Sequence, residues 1–113
     1  MKRHPEVLKR STMRNFFSVN PWCQGAYART ATGRPCKATS PRARAWDLLG
    51  AIDLVARDSE EGERIAFAMF DILYPQPREY DPAESVGAWN DASTRTKDDI
   101  LELCKQLEDC QGG

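Results

Sequence analysis

The sequence predicts a mostly α domain of the α+β class, with about four helices packed against one small antiparallel β-hairpin. Three observations carry this. The stretch Ser40 to Arg57, S-P-R-A-R-A-W-D-L-L-G-A-I-D-L-V-A-R, sets Ala45, Leu48, Leu49, Ile52, Val55 and Ala56 at helical spacing. From about Glu60 or Glu63 to Leu73, a second stretch is apolar nearly all round. Between Trp22 and Cys36, W-C-Q-G-A-Y-A-R-T-A-T-G-R-P-C runs in and out of a Thr32-Gly33 turn.

Taken in order, residues 1–20 read as a basic leader and residues 21–113 as one globular domain. Pro5 to about Arg10 suits a short helix with Pro5 at its first position, and Phe16 and Phe17 are expected to tuck under the core. In the hairpin, strand alternation places Trp22, Gln24, Ala26 and Ala28 on one face. Gly25 within that strand marks a bulge or a close approach. Two strands are marginal alone, so the hairpin must lie on helices. The central helix starts with Ser40 as N-cap and Pro41 behind it. Gly50 costs that helix about 1 kcal/mol relative to alanine, and it opens a notch for a neighbouring backbone or ring. The next helix has acidic residues at its positive end. With Ile65, Phe67, Met69, Phe70, Ile72 and Leu73, it is expected to be the most buried element. Asp81-Pro82-Ala83-Glu84 is a compact helix start, leading to a short helix that ends near Trp89. Thr96 to Asp99 caps the last helix, about Lys97 to Cys110, which buries Ile100, Leu103, Cys104 and Leu107 with Leu101 at the flank.

The bulk numbers bound the rest. A chain of 113 residues, 41% hydrophobic and 29% charged, has the composition of one soluble globular domain. No apolar run approaches the roughly 18 residues of a membrane span, and the basic N-terminus has no apolar region behind it, so a cytoplasmic protein is expected. The net charge of −1 gives no global attraction to nucleic acid. The charge is nevertheless uneven: Arg29, Arg34, Lys37, Arg42 and Arg44 make a basic surface, and the chain after Arg57 is acidic. Cys23, Cys36, Cys104 and Cys110 form no C-x-x-C pair and His4 stands alone, so neither a metal site nor a bound cofactor is expected. Four reduced thiols, some buried as small hydrophobes, is the expected state.

Catalysis finds little support. G-x-S-x-G, H-E-x-x-H, Walker-type and G-x-G-x-x-G motifs are all absent, and a lone terminal histidine leaves no nucleophile–base pair. The polar constellation of interest is Gln24, Asn90, Asp91 and Arg95, framed by Trp22 and Trp89. An amide, a carboxylate and a guanidinium beside flat rings suit a nucleobase or another planar polar ligand. The plainer reading makes Asn90 and Asp91 an Asx turn, with Arg95 paired to Asp91, Gln24 on loop amides and both tryptophans in the core.

The segments W-C-Q-G-A-Y-A-R-x-A-x-G-R-P, W-D-L-L-G-A-I and W-N-D-A-S-T-R-T-K-D-D-I-L are specific in combination. They resemble a family of small proteins, frequent in actinobacteria and seen in phages, designated a domain of unknown function. The resemblance spans Trp22 to Leu107, with Trp22, Gln24, Gly25, Trp89, Asn90, Asp91, Arg95 and Thr96 at matching positions. It departs at Asp47, where a larger or cysteine-like residue is expected, and the leader lies outside it. It implies a small, mostly helical fold and no activity.

Two functions of different class follow as expectations. The first is a non-enzymatic protein-interaction module with a protein partner, nucleic acid being the lesser alternative. Its size and the resemblance suggest, as a subtype, a phage-type or accessory inhibitor of a host defence complex. The second is a domain for a small polar or nucleotide-like ligand held by Trp22, Gln24, Trp89, Asn90, Asp91 and Arg95.

Overall fold

The computed structural model describes residues 12–75 and 79–112. Among these residues, five helices and three strands follow in the order α1 (Thr12–Val19), β1 (Ala28–Thr30), β2 (Pro35–Cys36), β3 (Ala43–Trp46), α2 (Leu48–Val55), α3 (Ser59–Leu73), α4 (Pro82–Asn90) and α5 (Lys97–Gly112). The fold is thus mostly helical, as expected. It has one helix more than the sequence suggests and a three-stranded antiparallel sheet in place of a hairpin, in the order β2-β1-β3.

The helix α1 occupies part of the stretch read as a leader, and the helix expected at Pro5 to Arg10 lies outside the described residues. Met13 and Phe17, one turn apart, are both buried in the core. Phe16 packs edge-on against Phe17 and Trp46, with ring centroids 5.1 and 5.3 Å away. The Arg14 guanidinium donates to Glu108 at 2.7 Å, tying α1 to α5.

The central helix is the main correction. It begins at Leu48 rather than at Ser40, and Ala43–Trp46 is a strand. Ser40 caps only a turn: its Oγ accepts from Arg42 N at 3.1 Å, and its carbonyl accepts from Ala43 N at 3.0 Å. The alternation A-R-A-W fits a strand as well as a helix, and pairing with β1 decides it. Ala28 opposes Trp46, Arg29 opposes Ala45 and Thr30 opposes Ala43, so Arg44 is the extra residue of a bulge. Asp47 then caps the apolar run proper, its carboxylate accepting from Gly50 N at 2.6 Å.

The hairpin is also shorter than expected. Gly33 turns it at φ +88°, and Thr30 N donates to Arg34 O at 2.8 Å. Residues 22–27 lie outside the strands: Trp22 makes one isolated bridge to Trp46, and Gly25 sits at φ +81°. The expected sharing of a strand face by Trp22, Gln24 and Ala26 therefore does not arise.

The most buried element is α2, not α3. Leu48, Gly50, Ala51, Ile52 and Val55 are all buried, whereas α3 buries only Ala66, Met69 and Phe70 and leaves Phe67 more than half exposed. Asp58 caps α3 by accepting from Glu61 N at 2.8 Å, and Asp81 caps α4 by accepting from Glu84 N at 2.8 Å. Thr96 and Asp99 form a reciprocal capping box at α5, each side chain bonding the other's amide. The expected stripe on α5 is buried: Ile100, Leu103, Cys104 and Leu107 all enter the core. The sheet joins the helices mainly through α2, on which β3 packs, while α3, α4 and α5 pack around the other side of the core. No helix among the described residues is long and apolar enough to cross a membrane.

Candidate functional site

The six residues singled out at sequence level do come together, at the junction of the 22–25 loop, the N-terminus of α2 and the C-terminus of α4. Asn90 is the centre. It is fully buried, and each side-chain atom has two partners. Its Oδ1 accepts from Trp22 Nε1 at 2.7 Å and from Leu48 N at 3.0 Å; its Nδ2 donates to Cys23 O at 3.2 Å and to Asp91 Oδ1 at 2.9 Å. Leu48 N is the first amide of α2 and has no acceptor within its own helix. Asn90 and Asp47 together therefore close the positive end of α2, one from another helix and one from its own cap.

The neighbours complete a clasp. Gln24 Nε2 donates to the carbonyls of Asn90 and Ala92 at 2.9 and 2.8 Å, satisfying the end of α4. Asp91 accepts from Gly25 N at 3.0 Å. Arg95 does not pair with Asp91. Its Nε donates to Trp89 O at 2.8 Å, and its guanidinium stacks over the Trp89 ring at 3.8 Å from the centroid. One face of Trp89 is thereby covered, and the ring packs against the core, as does Trp22. No buried side-chain nitrogen or oxygen among the described residues lacks a partner. The clasp holds three segments in register with atoms that a ligand would otherwise use.

Two further residues belong here, Cys23 and Asp47, the latter as the cap of α2. Burial, opposed by the Gly50 amide, pushes the Asp47 carboxyl up to about 6. Burial and then the Asp47 charge push the Cys23 thiol up to about 11, so Cys23 stays protonated at neutral pH and is a poor nucleophile. Burial alone raises Cys104 to about 12. A signal for Asp47 was present: an aspartate directly before an unbroken apolar run is a cap. Because the folded value lies above the ordinary 3.8, the stability that Asp47 contributes is full below about pH 4 and is lost as pH rises through about 6. Asp47→Asn keeps a good cap and removes the titration. Urea melts at several pH values should show wild type losing stability relative to this variant between pH 4 and 7, by at most about 3 kcal/mol, one pKa unit being about 1.4 kcal/mol. Parallel profiles would refute it.

The basic residues form a second locus. Between Thr12 and Trp46 there is no acidic residue. Arg34, Lys37, Arg42 and Arg44 are exposed and Arg29 is half-buried, all on the sheet and its turns. Arg29 bonds the carbonyls of Gln24 and Gly33, and Arg44 those of Pro41 and Ala43. None of the five pairs with a carboxylate among the described residues, whereas Arg14, Arg57, Arg64 and Lys105 each do. Tyr27, immediately before β1, is 58% exposed among them.

A third feature lies on the far helices: a groove of about 560 Å³ lined by Ala68, Asp71 and Ile72 of α3, Pro75, and Gln106, Asp109 and Cys110 of α5. No pattern in the sequence points to it, since it arises from the spacing of two helices. Among the described residues, no group of three or more His, Cys, Asp or Glu side chains is placed to hold a metal ion.

Among known proteins, residues 11–109 match the model of a family of unknown function, DUF6197. The match starts before Trp22 and takes in α1, part of the stretch that the sequence reading set outside its resemblance. No curated protein and no solved structure matches the chain.

Proposed function

The chain belongs to the DUF6197 family of unknown function, and we propose that it is a non-enzymatic interaction module that docks its basic sheet on an acidic surface of another protein. The observation that carries the reading is the uncompensated charge: five cations on one small sheet, with no carboxylate in the sequence between Thr12 and Trp46. Like charges crowded on a surface repel one another, and a complementary anionic surface relieves that repulsion while steering association. A protein partner suits the charge layout better than a nucleic acid. The helices carry Glu60, Glu63, Asp98, Asp99 and Glu102, which disfavours a long polyanion laid across the molecule, whereas a protein surface can end where the sheet ends. The small-ligand reading has less support, because the clasp's polar atoms already bond one another and the backbone.

The test is affinity capture with wild type and with Arg42→Glu/Arg44→Glu. Both side chains are exposed, so the double variant should melt within about 0.5 kcal/mol of wild type. Capture of the wild-type partner should fall at least about tenfold, and capture by wild type should weaken with added salt. Nuclease treatment of the lysate should change nothing. Equal capture by both proteins would refute the reading, and loss of capture with nuclease would replace the protein partner by nucleic acid.

A further inference from the structure

We infer that the groove between α3 and α5 is the acceptor for the basic sheet of a second copy, so that copies associate head to tail; this rests on the reading of the sheet as a docking face. The two surfaces are complementary in charge and in apolar character. The groove is lined by apolar Ala68, Ile72 and Pro75 together with two carboxylates, Asp71 and Asp109. Asp109 pairs with the exposed Lys105 at 3.7 Å and also faces the Arg14 charge, while Asp71 has no cationic partner among the described residues. Phe67, one turn before Asp71 on the same helix, is 54% exposed. The basic region offers the converse: an exposed aromatic, Tyr27, in the residue before β1 and two residues from Arg29, next to the sheet whose strands and turns carry Arg34, Lys37, Arg42 and Arg44. A phenol ring has the size and the amphipathic character to enter such a groove, and guanidinium groups match carboxylates at its rim in bidentate geometry.

The two surfaces also lie on different elements. The sheet packs on α2, and the groove belongs to α3 and α5, so one copy can donate its sheet and accept another's at the same time. An interface of this heterologous kind does not close on itself unless its rotation makes a ring. Its occupant is charged at the rim, so association should be weak and should fall steeply with salt.

Sedimentation velocity on the purified chain tests this. At about 20 mM salt the weight-average sedimentation coefficient should rise with concentration up to about 0.5 mM, and at about 500 mM salt it should stay at the monomer value. Arg42→Glu/Arg44→Glu and Asp71→Ala/Asp109→Ala should each be monomeric at low salt while melting like wild type. Mixed in equal amounts, they should form a dimer that grows no further, because one intact sheet and one intact groove remain. A wild type that stays monomeric overturns the inference, as does self-association that survives the groove variant, or a mixture that stays monomeric. The docking reading fails separately, by unchanged capture with the sheet variant, and it stands if capture is lost while wild type never self-associates.

Discussion

Asn90→Ala should destabilise the domain by about 4 kcal/mol, close to the whole stability of a small domain at the low end of the usual range. The substitution strips Oδ1 from the Trp22 indole and from the Leu48 amide, and Nδ2 from the Cys23 carbonyl. Each buried donor left without an acceptor costs about 1–3 kcal/mol, and water cannot readily replace a side chain that is fully buried. Asn90→Asp sharpens the argument. It keeps an acceptor for both donors but sets a carboxylate against the Asp91 carboxylate and the Cys23 carbonyl, so it should be worse at pH 7 than at pH 5. Chemical denaturation at both pH values reads the two effects. If Asn90→Ala lies within about 0.5 kcal/mol of wild type, the clasp is not what holds the sheet to the helices, and a ligand role for the same residues gains ground.

Gly50→Ala should cost about 3 kcal/mol although alanine is the better helix former by about 1 kcal/mol. A methyl group at Gly50 would overlap the Tyr27 carbonyl oxygen, with the Tyr27 carbonyl carbon at 2.9 Å and Asp47 Oδ1 at 3.2 Å. That oxygen accepts from Asp47 N at 3.1 Å, so displacing it loosens the strand junction and the cap together. Gly62→Ala is the control. Its methyl would meet Ile52 Cγ2 at 3.5 Å and Ala56 Cβ at 3.6 Å, ordinary contacts, and the gain in helix propensity should then appear as about 0.5–1 kcal/mol of stabilisation. Thermal or urea melts of the two variants should move in opposite directions; a shift of the same sign for both would sink the close-approach argument.

The notch at Gly50 was legible in the sequence, because a glycine inside an apolar helix needs a reason and a backbone neighbour is one. The strand at Ala43–Trp46 was not. Its side chains alternate as a strand's do, but Pro41 and two alanines read equally well as a helix start, and the deciding bonds come from β1, thirteen or more residues away. The caps at Asp58, Asp81 and Thr96 were legible since each is local, a side chain and an amide within three residues. The clasp was legible as a set of residues and illegible as a network. Which atom bonds which depends on the 22–25 loop meeting the end of α4, and nothing local fixes that meeting. Arg95 shows the difference: charge alone pairs it with Asp91, while the structure stacks it on Trp89.

The clasp also bears on how the molecule assembles. It joins Trp22 to Asn90 across 68 positions of the chain, whereas the β1–β2 turn and the helix caps close over three to five. Bringing together the ends of so long a loop costs about 4 kcal/mol of chain entropy, and that loss comes before the buried bonds exist to offset it. Folding of the sheet onto α2 should therefore wait on the completion of α4. The domain is expected to fold as one cooperative unit, with the meeting of its first loop and its fourth helix as the slow step.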